Sequence, residues 1–293
     1  MNRVKRGAFL TMDSLEGFIC SDNLTYEPLS QLGWKIDEVS WTRPEVRWND
    51  FDLVVIRSPW DYTNHPQAFL RVLEQIDRSD AHLANPLDVV RWNLDKTYLR
   101  QLEAQTISIV PTVWLTQLDQ SNLDAAFDHF ATVEMVVKPT IGANAGDTFR
   151  LARDAAASTT QRALRAFQSR PVMVQPFIKT VVELGEYSLF YFNGEFSHSI
   201  IKLPKAGDFR VQEEHGGLIR SCPAPGALLE AGQRVLNAIA VPLLYARVDF
   251  VYLSPDTPAV IEVELIEPSL YFAYDERSPH RFALALDRLY RVH

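Results

Sequence analysis

The chain has 293 residues, 47% of them hydrophobic and 23% charged, with a formal net charge of −8. That supports a sizeable core, in one large domain or two to three small ones. It argues against a generic nucleic-acid binder, whose footprint is basic, and no apolar run is long enough to cross a membrane. The apolar stretch at residues 7–12 follows a basic start, but it is too short for a signal peptide and soon meets Asp13 and Glu16. The two cysteines, Cys20 and Cys222, lack metal-type spacing and read as buried or free thiols of a reducing compartment, which predicts a cytoplasmic protein.

In chain order, strands are predicted over residues 8–12, 34–39, 52–57 and 81–85. Helices are predicted over 24–32, with Gly33 as the stop, and over 66–76, with Pro66 in the first turn. The third strand (DLVVIR) is apolar enough for a buried parallel position. This alternation over residues 1–92 predicts an open α/β sheet, whose ligands lie beyond the carboxyl ends of the strands. Two loops fall there. One spans residues 13–16 and offers Glu16 as a candidate substrate contact. The other is Arg57-Ser58-Pro59-Trp60-Asp61-Tyr62, where Arg57 can take a carboxylate bidentately beside Asp61 and Tyr62. The alternative is a packed loop, with Trp60 and Tyr62 in the core and Arg57 paired with Asp61.

Further on, a helix over residues 95–102 carries Lys96, strands are predicted over 110–114, 135–138 and 172–176, and helices over 123–130 and 155–168. Residues 138–148 form a small-residue loop directly after a strand ending in Lys138; such loops can fold backbone N–H groups over phosphates. Strands over 186–192 and 195–203 flank Asn193-Gly194, a strong hairpin turn. The stretch 205–217 is polar and glycine-containing, and helices are predicted over 228–239 and 282–290.

The densest chemistry lies in residues 245–270 (YARVDFVYLSPDTPAVIEVELIEPSL). Two β-rich runs flank the turn cluster Ser254-Pro255-Asp256-Thr257. Side chains alternate along a strand, so Arg247 and Asp249 share one face, as do Glu262 and Glu264, with Ile261, Val263 and Leu265 opposite. A four-residue loop sets Asp249 against Glu262 and Arg247 against Glu264. Packed carboxylates raise one another's pKa, and a divalent cation removes the conflict; hard oxygen ligands suit Mg²⁺. The alternative is a strand pair with one solvated acidic side.

Taken in order, Lys96, Lys138-Pro139 with its loop, the run Val174-Gln175-Pro176-Phe177-Ile178, Gly185-Glu186, Arg247-Val248-Asp249 and Glu262-Val263-Glu264 resemble the ATP-grasp superfamily over nearly the whole chain. RSPWDY, GEYSLFYFNGEFSHSIIKLPKAGDFRVQ and IEVELIEPSL are most similar to its glutathione-synthetase-like branch, in the group of the cycloserine-forming O-ureido-serine cyclo-ligase. The resemblance implies an α/β and α+β, ATP-grasp fold: an N-terminal open α/β substrate-binding domain (1–94), a central lid (95–178) and a C-terminal antiparallel-sheet subdomain with the Mg site (179–293).

It further implies that Lys96 and Lys138 hold the α- and β-phosphates of ATP, that Gln175 and the backbone of Phe177 and Ile178 meet adenine, and that Glu186 takes the ribose. Lys202 and Arg210 would reach the γ-phosphate or acyl phosphate, Arg247 would stabilise the transferring phosphoryl group, and Asp249, Glu262 and Glu264 would hold Mg²⁺. Two departures stand out. The lid loop has only Gly142 and Gly146, and the last metal position is Glu264, where glutathione synthetase and the D-alanine ligases place Asn. The implied activity is amide formation from a carboxylate and an amine or aminooxy nitrogen through an acyl phosphate, on a small amino-acid-like substrate, intramolecular if one molecule carries both groups. Rival readings are an ATP-binding protein without ligation and a carboxylate kinase. Relatives are often homodimers. No Ser-His-Asp or Cys-His arrangement is visible; His198 and His215 read as structural or substrate-contacting side chains.

Overall fold

The computed structural model describes residues 3–143, 145–154, 157–213 and 216–292. The first sheet holds β1 (Lys5–Thr11), β2 (Trp34–Ser40), β3 (Leu53–Ser58) and β4 (His82–Ala84), all parallel, in the order β2-β1-β3-β4. Every residue of β3 is buried, as its unbroken apolar run requires. Parallel neighbours need crossovers, and helices supply them. Helix Pro66–Asp77 starts at its proline and buries Phe69, Leu73 and Ile76, a spacing of four and three that makes one face. The first predicted helix is split: a 3₁₀ turn, Asp22–Thr25, precedes helix Tyr26–Gln31, and Gly33 at φ +82° releases the chain into β2.

The second sheet is antiparallel, with β5 (Val113–Leu115), β6 (Glu134–Pro139), β7 (Phe149–Ala152) and β8 (Val172–Pro176) ordered β5-β8-β6-β7. β7 is an addition to the predicted elements; four residues are too few for a periodicity signal. Helix Gln120–His129, capped reciprocally by Asp119 and Asn122, packs Leu123 and Phe127 against a core that includes Met135, Val137 and Val174.

The third sheet holds β9 (Glu186–Phe192), β10 (Glu195–Leu203), β11 (Leu218–Ser221), β12 (Tyr245–Ser254) and β13 (Thr257–Glu264) in the order β11-β10-β9-β12-β13. β9 and β10 join through Asn193 (φ +47°) and Gly194 (φ +77°), a two-residue turn that needs both residues left-handed. The loop between β12 and β13 is two residues, shorter than expected, yet Asp249 faces Glu262 and Arg247 faces Glu264. One bulge leaves Leu253 unpaired on β12, another leaves Ile261 unpaired on β13, and the two shifts cancel. The bulge also corrects one expectation: Ile261 lines the interior cleft beside Glu262 instead of pointing away from it.

β13 is an edge strand; at Val260 its outer groups pair with the backbone of Ser108 and Val110, and further along side chains satisfy them. The Tyr98 hydroxyl donates to Val263 O (2.9 Å) and accepts from Val263 N (2.8 Å); Asn93 donates to Val263 O (2.8 Å) and accepts from Leu265 N (2.9 Å). These residues belong to helices Leu87–Asn93 and Tyr98–Ala104, so Lys96 lies in the turn between them and not on a helix as predicted. Phe9 and Val55 of the first sheet share a core with Phe190, Leu270 and Phe282, and buried Asn85 donates to Tyr245 O (2.9 Å) and Leu265 O (2.8 Å).

Candidate active site

A cleft opens between the second and third sheets, with Trp60 and Tyr62 of the N-terminal loop at one end. Lys96, from the helix-joining turn, and Lys138, from β6, enter from one side; Lys202 of β10 and Arg247 of β12 stand on the other. Lys96 Nζ lies 3.0 Å from Glu262 Oε1 and donates to Gly142 O of the small-residue loop at 2.6 Å. Lys202 Nζ lies 2.9 Å from Glu186 Oε1 and 3.4 Å from Asp249 Oδ2. Arg247 grips Asp249 (Nη2–Oδ2 2.9 Å) and also pairs with Glu264, while Ser188 donates to Asp249 Oδ1 at 2.6 Å. Lys138 has no ion-pair partner among the described residues.

The protonation pattern follows from burial and neighbours. Burial raises Glu264 to about 8; Arg247 opposes the rise, and Glu262 and Asp249 add to it. Burial raises Glu186 too, against the pull of Lys202. Asp249 stays below its ordinary value: burial lifts it, but Arg247 and Lys202 pull it down further. Burial and Arg247 depress Lys202, and Asp249 and Glu186 outweigh them, so its net shift is upward. Lys138 ends below the ordinary lysine value, because burial dominates and Lys96 adds to it.

The far end of the cleft is apolar. Phe177, Ile178, Val110 and Ile261 line it, and the Phe209 ring meets Phe177 edge-on at 6.3 Å. The Phe177 N–H is already spent on Glu134 O (2.9 Å) and the Arg150 guanidinium lies over its ring at 3.7 Å, which leaves its carbonyl for a ligand. Gln175 donates to Thr112 Oγ1 (2.9 Å), and Arg210 lines the cleft with its guanidinium held by Asp208 (2.7 Å).

The N-terminal expectations fare differently. Arg57 is 1% exposed and is not part of the cleft lining. Its Nη2 lies 2.9 Å from Asp22 Oδ1 and donates to Pro268 O at 3.2 Å, and its guanidinium sits over the rings of Tyr245 and Phe282. Its Nη1 is buried without a hydrogen-bond partner among the described atoms. Arg57 thus joins β3 to the C-terminal part of the chain, and Asp22 occupies the place expected for a substrate carboxylate. Asp61 accepts from the Trp41 indole (2.7 Å) instead of pairing with Arg57, and Glu16 is exposed and outside the cleft lining. Tyr62 does reach the cleft. His198 is buried, stacks on Phe190 at 4.3 Å and lies 3.0 Å from Leu270 O; His215 lies outside the described residues. Glu267 was missed by the sequence reading. It lines the cleft three residues past the last metal-type acid, beyond the strand whose alternation drew attention to the others.

Asp249, Glu262 and Glu264 supply the hard oxygen donors that Mg²⁺ takes. Among the described residues no three acidic, histidine or cysteine side chains already stand as a ready metal cluster, because Lys96 and Arg247 draw the carboxylates to themselves. The donor set fits the ion; its assembly requires those cations to yield.

A parallel α/β sheet followed by two antiparallel sheets that enclose a lysine- and acid-lined cleft is the ATP-grasp architecture, and the chain superposes with a TM-score of 0.71 on an ATP-grasp RimK domain protein from Sphaerobacter thermophilus (16% identity, 96% of this chain and 98% of that one). A family profile described as the N-terminal domain of D-cycloserine synthetase DcsG matches residues 8–85. The chain is 32% identical over 275 residues to the cycloserine biosynthesis protein DcsG of Streptomyces lavendulae, covering 89% of this chain and 90% of that one. The crystal structure of D-cycloserine synthetase DcsG superposes with a TM-score of 0.85 at 29% identity, over 97% of this chain and 99% of that one. The chain belongs to the DcsG family of ATP-grasp ligases.

Proposed function

We propose that the protein is an ATP- and Mg²⁺-dependent ligase that joins a carboxylate to an amine or aminooxy nitrogen of a small amino-acid-like substrate, through an acyl phosphate. The observation that carries this reading is the meeting of Lys96, Lys138, Lys202 and Arg247, from separate elements, around Glu186, Asp249, Glu262 and Glu264 in one cleft. Phosphoryl transfer needs positioned charge more than covalent chemistry, and the cleft concentrates cations in an otherwise acidic chain.

Lys96 and Lys138 would take the α- and β-phosphates, Glu186 the ribose, and Gln175, Phe177 and Ile178 the base at the apolar end. Asp249, Glu262 and Glu264 would hold Mg²⁺, which supplies charge neutralisation at the phosphates. Arg247, Lys202 and Arg210 would face the transferring phosphoryl group. The γ-phosphoryl passes to a carboxylate oxygen and ADP leaves; the nitrogen then attacks the acyl carbon, and phosphate leaves. Here the chain's part is to orient the reactants and exclude water. Residues 1–94 would carry substrate contacts, 95–178 the lid and 179–293 the metal side. Similarity to a cycloserine synthetase favours a ring closure, with both groups on one molecule. No described helix is long and apolar enough to cross a membrane, and a cytoplasmic location belongs to the proposal.

The test is ADP release against amino acids, dipeptides and O-ureido-serine, with mass detection of products. A ligase releases ADP only with both partners, or with one molecule carrying both groups. Release without a nitrogen nucleophile would identify a carboxylate kinase, and no release with any acid a nucleotide-binding protein.

A further inference from the structure

The cleft's acids are not equivalent. Glu186, Asp249, Glu262 and Glu264 each have a lysine or arginine nitrogen within ion-pairing distance. Glu267 lines the same cleft and has no such partner among the described residues. Two residues of the N-terminal loop flank it: the Trp60 indole donates to its main-chain carbonyl at 2.9 Å, and Tyr62 lines the cleft with it. Tyr62 is itself 5% exposed and packed against Phe69, so the hydroxyl is fixed in place.

A carboxylate in a partly dry cleft is costly unless a cation or several donors meet it. A neighbouring hydroxyl can satisfy at most one lone pair, which leaves the rest of this cleft-lining carboxylate for a ligand. Burial therefore raises this carboxyl to about 7, with Tyr62 and Lys96 only partly opposing. An ammonium would complete the set. The neighbouring acids cannot serve that purpose in the same way, since their cations already belong to the chain.

We propose that Glu267, flanked by Tyr62 and Trp60, is the side chain that receives the ammonium group of the amino-acid substrate. This deepens the ligase reading and rests on it for placing the substrate in the same cleft. It also explains why the N-terminal loop is turned toward the cleft although Arg57 is not: the loop contributes to substrate recognition by fixing an acid from the C-terminal part of the chain.

The test is isothermal titration calorimetry without ATP, using D- and L-serine, D- and L-alanine, and the matched 2-hydroxy acids glycerate and lactate as probes. At least one amino acid is expected to bind the wild-type protein and to bind Glu267→Gln roughly 30-fold more weakly, as the loss of one charge-assisted contact implies. The hydroxy acids are expected to show no difference between the two proteins. Tyr62→Phe, which keeps the ring and removes only the hydroxyl, is expected to lose about three- to tenfold of the same affinity. If no amino acid binds wild type more tightly than Glu267→Gln, or if the hydroxy acids lose as much, the assignment is overturned. The ligase reading fails separately, through absence of ADP release by wild type, and the calorimetric preference for the ammonium does not depend on that result.

Discussion

Arg57 and Arg247 are both buried arginines on central strands, at 1% and 8% exposure, and both bind an aspartate. Their surroundings separate them. Arg57 has one acid, one main-chain carbonyl and two ring faces, and nothing of it opens to the cleft. Arg247 lines the cleft and shares its partners: Asp249 also meets Lys202, and Lys202 also meets Glu186. A pair that closes within the chain fastens elements together. A network with shared partners at an opening can exchange them with a ligand. Burial alone does not distinguish structure from site; whether the charge balance closes inside the protein does.

The strongest way to break this comparison is Arg57→Met. It strands Asp22 in a buried position and is expected to cost about 3–5 kcal/mol of stability in urea unfolding. Mg-ATP affinity of the folded protein should be unchanged. A normal unfolding curve with a raised KM for the substrate acid would return Arg57 to the binding site.

Glu262→Gln tests the open network. Turnover, measured as ADP release, is expected to fall about 10²–10³-fold, because a carboxylate that would hold Mg²⁺ against the phosphates is lost. Its stability loss should be smaller than that of Arg57→Met, since Glu262 keeps more of its side chain exposed (27%) than Asp22 does (10%). Equal losses would mean the cleft pairs are as closed as the Arg57 pair.

Lys138→Ala sharpens the same point from the cation side. Lys138 has no ion pair among the described residues and burial depresses its pKa, so removing it relieves a charge that Glu262 and the other cleft acids only partly offset. ATP binding is expected to weaken about tenfold, the loss of one charge-assisted contact, with no fall in the ligand-free melting temperature. Unchanged ATP affinity in calorimetry would remove Lys138 from the phosphate clamp.

The smallest effect concerns His198, a buried group of β10. Burial lowers it from 6.5 to about 4, and its neighbours are the Phe190 ring, Leu270 O, Ser197, Asp275 and Arg281. The unfolded chain therefore binds more protons between those two values. Stability is full above pH 6.5 and falls on acidification, by about 1 kcal/mol at pH 5.5. His198→Gln should flatten that slope in pH-dependent urea unfolding; an unchanged slope would show that another group carries it.

What the sequence determined by itself is what short-range chemistry controls. Asn193-Gly194 dictates the β9–β10 hairpin, because both residues tolerate positive φ. Alternation and a turn cluster put Asp249 opposite Glu262, and the register survived an incorrect loop length only because two bulges cancel. Alternation alone pointed to Arg247, Asp249, Glu262 and Glu264; the remaining lysines and Glu186 were legible only as an ordered set, through the resemblance to the ATP-grasp superfamily. Only the tertiary structure decided the rest. Arg57 meets Asp22, 35 positions away, and not Asp61, which Trp41 takes. Tyr98 and Asn93 close the edge of β13 across more than 160 positions. Trp60 meets the Glu267 carbonyl across 207 positions, and Tyr62 lines the cleft beside them. No periodicity or turn residue encodes such partners. Each is chosen when packed elements strand a buried charge or carbonyl, and the nearest group able to satisfy it is set by the fold and not by its position in the chain.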